Sequence, residues 1–434
     1  MATRRWLGNA ANIKQVSTVT IADTWAQGDT ITLTIDNIDF VVTIGTLVTT
    51  AQVATTLQQA FHATTLTDTA ASYSPAAGAA TIPQFSEVTA TVSSSVVTLT
   101  ANTAGEPFTM TASETTAGDG TATYAVATSA TGKHHWDNQD NWSGNTVPVD
   151  NDDVVFDEGN IDLKHGLTTS IQPASVTVRK SYTGKIGLPE TNNSNTRYPY
   201  REYRTRHLTF DDNSVTCTYE IGHGSGSGSG RIRLDAGAGQ SIVNVLSTAS
   251  RDVTSTPSLT FLGTHASNEI NVLGGDVGIA SFDGESAHAS ILRVGGGSSS
   301  ATCECGAGVD LINAAVDIQS GTLSIDSATS SGTIDQTGGT LVLRSGTHAV
   351  ANLDGGDCHF HSGTITTCAI SQGHLDKSRD MRSGTITNEL ELYRGAKVTD
   401  PHGTLTLSGG FQANKCLLSE VKLDFGTNRQ YTLT

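Results

Sequence analysis

Two short stretches hold the residue types that bind metals, Cys303-Glu-Cys305 and Cys358-His-Phe-His361. Zinc sites favour C-x-x-C spacing and close with four ligands, so C-x-C and C-x-x-H fragments are weak signals. Strand alternation would place Cys358 and Phe360 on one face and His359 and His361 on the other, dividing the ligand set. Buried small hydrophobes beside exposed histidines are the expectation, for His134-His135 as well, and no metal or cofactor is called for. Asp354, Asp357, Asp376 and Asp380 are close enough in sequence to supply a carboxyl pair. Glycoside hydrolysis needs two carboxyls roughly 5–10 Å apart. Aspartate is also a default turn residue and no motif selects a pair, so no catalytic residue is assigned and a non-enzymatic chain is expected.

The concentrated basic and aromatic patch is "NNSNTRYPYREYRTRHLTF" (192–210), with Arg197, Tyr198, Tyr200, Arg201, Tyr203, Arg204 and Arg206. Tyr and Arg are enriched at the energetic centres of protein interfaces, which makes these seven residues candidates for docking on an acidic partner or a neighbouring subunit. A solvated loop is the competing reading. "IGHGSGSGSGRIRL" (221–234) lacks the G-x-x-x-x-G-K-[ST] pattern of a phosphate loop and reads as a flexible connection.

These residues sit in a chain of 434 residues with 15 % charged residues, 45 glycines and a formal net charge of −17. That charge argues against nucleic acid or an anionic membrane as partner. No run of about 20 apolar residues offers a transmembrane helix. "MATRRWLGNAANIKQ" has two arginines but no apolar stretch after them, so it does not read as a secretory signal. Six scattered cysteines without a framework spacing point to free thiols in a reducing cytosol.

Abundant Thr, Val and Gly predict β structure. In "TITLTIDNIDFVVTIG", Ile31, Leu33 and Ile35 alternate, then Phe40, Val42 and Ile44 resume after Asp36-Asn37, which is a hairpin pattern. "TTAQVATTLQQAFHA" has a Thr at the N-cap and Val53, Leu57, Ala60 and Phe61 at helical spacing. "VTATVSSSVVTLTAN" predicts a second hairpin, "PFTMTAS" an edge strand, and "SYSPAAGAATIPQ" (72–84) an Ala/Pro-rich loop. Two strands, a helix and two or three strands make a small α+β module with its helix on one sheet face. From 160 onward only short strands separated by Gly, Asn and Asp are seen. "SGTIT" occurs at 362–366 and again at 383–387, and Gly321, Gly339, Gly363, Gly384 and Gly403 recur at intervals of 18, 24, 21 and 19 residues. Intervals near 20 fit one coil of a parallel β-helix, with Thr outward and Ile365 stacked on Ile386 inward. A β-sandwich of antiparallel hairpins is the alternative, and the recurring glycines favour the β-helix.

The stretch "GDTITLTIDNIDFVV…TTAQVATTLQQAF…VTATVSSSVVTLTANTAGEPFTM" resembles modules of phage virion proteins and large bacterial surface proteins. Trp136, Asn141-Trp142-Ser143, Gly144, Pro148, Asp150, Asp153, Val155 and Phe156 look like the motif that opens β-helical segments in phage and autotransporter-like surface proteins. There Trp136 and Trp142 cap the open solenoid end; aromatic stacking on a sugar is the other use of such tryptophans. The expected fold is mainly β: an arm (1–14), a small α+β attachment module (15–130), a Trp-rich cap segment (131–160) and a right-handed parallel β-helical body or solenoid (161–434). The resemblance implies a phage virion structural protein assembled in the host cytoplasm, a homotrimer that decorates or stabilises the capsid by binding the major capsid protein or other virion proteins. A tailspike or tail-fibre receptor-binding protein, with or without polysaccharide-degrading activity, and a bacterial surface adhesin are the alternatives.

Overall fold

The structure, a computed structural model, describes residues 2–35, 38–82, 85–189, 206–210, 215–297, 300–326, 330–414 and 416–426. The two Gly-Thr-Ile units lie side by side in neighbouring parallel strands, Gly363–Ile370 and Gly384–Leu392, with Gly363 facing Gly384, Thr364 facing Thr385 and Ile365 facing Ile386. Side chains alternate across a strand, so the threonines turn outward while both isoleucines are fully buried. The unit Gly346-Thr347-His348 occupies the same place one strand earlier, putting a histidine opposite Ile365. The inward row therefore runs Ser331, His348, Ile365, Ile386, Leu407.

The five recurring glycines do not share that row. Gly321 and Gly339 precede the strands Thr322–Ile325 and Thr340–Leu343, which pair with each other in a different sheet, and Gly384 faces Leu405, two residues past Gly403. The Gly-Thr-aliphatic unit serves strand starts in both sheets; Gly321, Gly339, Gly363 and Gly403 take positive φ there and Gly384 does not. Within the second sheet Thr322, Thr340, Asp357 and His374 are successive partners, at spacings of 18, 17 and 17 residues.

Among the described residues those two sheets are long and parallel, one of 15 strands and one of 12. A parallel neighbour cannot be reached through a tight hairpin, so the chain must leave the sheet between strands. From Asp153–Phe156 onward the chain mostly alternates between the two sheets, with Ala287–His288 and Phe411–Ala413 as additional short strands on the first, and side chains from both sheets meet in a single apolar core. The first sheet begins before residue 161. Its first strand is Thr3–Arg5, in the segment expected to be a free arm, paired with Asp153–Phe156 because the alternating backbone of that strand would otherwise present an open edge.

Between these two strands the chain builds a separate core from two antiparallel four-stranded sheets and the helix Thr50–Phe61. Leu33 faces Phe40 and Ile31 faces Val42 across the expected hairpin. The Gln52 side chain accepts from the Thr49 backbone N–H at 3.1 Å and turns Val53, Leu57, Ala60 and Phe61 into the core. Three strands escape the sequence pattern. Val16–Ala22 and Thr121–Thr128 are rich in Thr and Ser, and Ser72–Ser74, in the expected loop, adds an edge to Ile38–Thr43. No helix among the described residues is long and apolar enough to cross a membrane.

The glycine run that begins at Gly222, inside Cys217–His223, is fitted against neighbouring backbone at two of its positions, where a flexible connection was expected. Gly222 has φ +87° and its missing Cβ would sit on the Ser247 carbonyl oxygen, while Gly226 approaches the Lys180 carbonyl in the same way. Only glycine combines that φ with that proximity. Gly222→Ala is expected to lower the unfolding free energy by roughly 1–3 kcal/mol, measured by urea denaturation, with the fold retained.

Candidate functional site

Both tryptophans proposed to cap the body are buried. Trp136 and Trp142 meet edge-to-face at 4.6 Å, the Trp142 indole N–H donates to the Trp136 carbonyl at 2.7 Å, and Phe156 and Phe210 pack against the pair. Trp6 completes the cluster at 5.2 Å from Trp142 and donates to the Ile161 carbonyl at 3.0 Å. None of the three indoles offers a face to a sugar. Trp6 is missed by sequence because its partners lie some 130 residues away, and "RRWLG" has no alternation to mark it as inward. Next to this cluster His135, expected to be exposed, is buried against His165 at 4.7 Å. It bonds to the Gly105 carbonyl at 2.9 Å, tying the module to the first strands of the body.

Of the histidines and aspartates singled out by chemistry, His359, Asp357 and Asp376 lie together on the outer face of the second sheet, joined there by His374, which sequence reasoning passed over. Strands Asp357–Phe360 and His374–Asp376 carry two crossed pairs, His374 with Asp357 at 2.9 Å and His359 with Asp376 at 3.1 Å, while Cys358 and Leu375 between them face the core. His359 is buried, contrary to expectation, because Asp376 and the following turn cover it. Burial opposes ionisation of Asp376, but hydrogen bonds from Ser378 and the adjacent imidazoles prevail and hold its carboxyl below the usual range. Asp380 lies well below that range, chiefly because Arg382 bonds it through Nε at 2.8 Å and a terminal nitrogen at 2.6 Å. Asp354 is exposed.

General acid catalysis by a carboxyl needs a raised pKa, and these two aspartates are shifted the opposite way. As for metal ligation, burial pushes the Cys358 thiol well above its ordinary range, disfavouring the thiolate a metal needs, and the neighbouring histidines turn away from it. Among the described residues no group of three or more His, Cys, Asp or Glu could hold a metal ion.

Of the Arg/Tyr patch, Arg197, Tyr198, Tyr200, Arg201, Tyr203 and Arg204 lie outside the described residues. Arg206 is described, and its guanidinium stands 5.1 Å from the centre of the Phe282 ring, with Arg233 also at 5.1 Å. Beside them His207 bonds to Thr260 at 3.0 Å and Glu285 is raised above the usual range by burial. Sequence reasoning passed over Arg233, Phe282 and Glu285, which lie apart in the chain and meet only through the sheet. Further along the same face a cleft of about 150 Å³ is lined by Glu304, Ser324, Asp326 and Arg344. Arg344 donates to Ser324 at 3.0 Å and Arg251 reaches Glu304 at 2.8 Å.

The first sheet's outer face is a ladder of amides and charges. Asn244 donates to Glu220 at 2.7 Å, Asn271 to Asn244 at 2.9 Å, and Arg293 to both Asn271 and Glu269. Compared with protein-family models, with curated proteins and with solved structures, the chain has no significant match to any.

Two buried histidines give the fold a pH dependence. Burial lowers His348 to about 4, against an ordinary 6.5, and burial with the charges of Arg233 and Arg206 lowers His207 to about 3. The unfolded chain takes up these protons below pH 6.5 and the folded chain does not, so stability is complete above that pH and falls as pH drops towards 4. His348 alone accounts for on the order of 3 kcal/mol across this window. Urea unfolding at pH 7 and pH 4.5 is expected to show the loss, and His348→Ile, continuing the row of Ile365 and Ile386, is expected to diminish it.

Proposed function

We propose that this chain is a non-enzymatic structural protein of a phage particle that decorates or stabilises the capsid through contact area. In this reading the alternating sheets form a right-handed parallel β-helix, the Trp6–Trp136–Trp142 cluster closes its N-terminal end, and the α+β module attaches it to the major capsid protein or another virion protein. The copies associate as homotrimers in the assembled virion. The observation that carries the proposal is that the outward polar side chains pair mainly with one another along the stack: Glu220–Asn244–Asn271–Arg293 on one sheet, and Asp357–His374 and His359–Asp376 on the other. Such pairs hold neighbouring strands in register, as a load-carrying rod requires. The virion assignment rests on the resemblance of the module and of the Trp136–Phe156 motif. Buried, unpaired thiols at Cys217, Cys303, Cys305, Cys358 and Cys368 suit assembly in a reducing cytosol.

Copy number tests the reading. On a gel of purified particles the chain is expected at hundreds of copies, in fixed ratio to the major capsid protein. A few copies per tail would instead favour a receptor-binding tailspike and overturn the decoration role.

A further inference from the structure

The loop joining His374–Asp376 of the second sheet to Gly384–Leu392 of the first is fixed from beneath by a buried cation. Lys377 is fully buried and its ammonium donates to the carbonyl oxygens of His361 at 2.7 Å, Asp380 at 3.1 Å and Arg382. From above, Asp380 accepts from the Arg382 backbone N–H at 2.7 Å and from its guanidinium, and Asp376 accepts from the Ser378 N–H at 2.9 Å. The tip of this pinned loop nevertheless holds Met381 at 74 % exposure, the highest among the exposed large hydrophobics of the described residues. Arg379 and Arg382 flank it, their side chains 62 % and 59 % exposed. A loop already ordered loses little entropy on binding, and Met and Arg are both enriched in interfaces. Each guanidinium has five N–H donors, and the ion pairs with Asp376 and Asp380 leave some of them free for a partner.

The complementary surface is on the chain itself. On the outer face of the first sheet Val350 faces Thr367 and Asn352 faces Ala369, forming a shallow strip of small side chains. Carboxylates bracket it, Asp335 on the strand before and Glu389 and Glu391 on the strand after. With a net charge of −17, two copies repel except where local signs differ, and here a basic tip centred on Met381 meets an acidic face whose middle mixes Val350 and Ala369 with Thr367 and Asn352, the last bonded to Asp335 at 2.7 Å. The Met381 loop runs directly into the strand that carries Glu389 and Glu391, so tip and face lie at one level along the stack. We propose that the Met381 loop of one copy docks on this face of a second copy, Met381 against Val350, Thr367 and Ala369 and the arginines against the bracketing carboxylates. The contact is head-to-tail, which gives a ring where the rotation between copies closes. It rests on the self-association in the proposed function and assigns that association a surface.

Sedimentation equilibrium of the full chain tests it. The wild type is expected to be an oligomer. Met381→Asp, which leaves the Lys377 and Asp380 bonds in place, is expected to weaken association at least tenfold with an unchanged circular dichroism spectrum. The double variant Glu389→Lys/Glu391→Lys is expected to weaken it similarly, and adding Arg379→Glu to that variant, which leaves the Arg382–Asp380 bonds in place, to restore part of it. Oligomers of wild-type mass and affinity in both Met381→Asp and Glu389→Lys/Glu391→Lys would overturn the proposal while leaving self-association standing, since the copies would be joined elsewhere. A monomeric wild type would overturn both.

Discussion

A strand in a parallel sheet has two hydrogen-bonding edges and two faces, and everything in this chain follows from satisfying all four at once. In the two parallel sheets most strands find their edges in earlier and later strands of the same sheet, and their inner face in the opposite sheet. Because side chains alternate, a slip of one residue would turn Ile365 and Ile386 outward and bring Thr364 and Thr385 inward. Register is therefore held twice, by the apolar rows inside and by the paired polar residues outside. Asp357–His374 and His359–Asp376 flank Cys358 and Leu375 and oppose such a slip from both sides of the inward residue.

The same constraint explains the first strands. A stack of strands must begin somewhere, and its first member exposes an edge and a patch of core. Here Thr3–Arg5 supplies the edge partner for Asp153–Phe156, and Trp6, Trp136 and Trp142 fill the core beside Phe156. The α+β module lies between these two strands in the chain, so its two ends are fixed by the body. His135 and His165 add a polar tie through Gly105.

Several polar residues inside this framework bond the backbone of turns and the side chains beside them. Lys377 gathers three carbonyl oxygens that a turn would otherwise leave without donors, and Asp400, fully buried, accepts from the backbone N–H groups of Thr404 and Leu405. His348 takes the place of an isoleucine in an inward row and is tolerated because Ser331, its neighbour in that row, bonds it at 2.8 Å. Acid sensitivity is a by-product of that substitution.

Local pattern was enough to determine the β-rich class, the capped helix Thr50–Phe61, the hairpin of Ile31 and Leu33 with Phe40 and Val42, and the stacking of Ile365 on Ile386. Each depends on residues near in sequence or on a repeat of one short unit, and alternation of apolar with polar residues is a local signal. Tertiary structure alone decided which sheet each Gly-Thr unit enters, since Gly321 and Gly363 begin chemically equivalent strands. It also decided that Trp6 belongs with Trp142, that His348 and His359 are buried, and that Lys377 is a clamp. Those outcomes depend on what lies alongside in space, from 16 residues away in the chain for Lys377 and His361 to 136 for Trp6 and Trp142, and a linear pattern does not encode that distance.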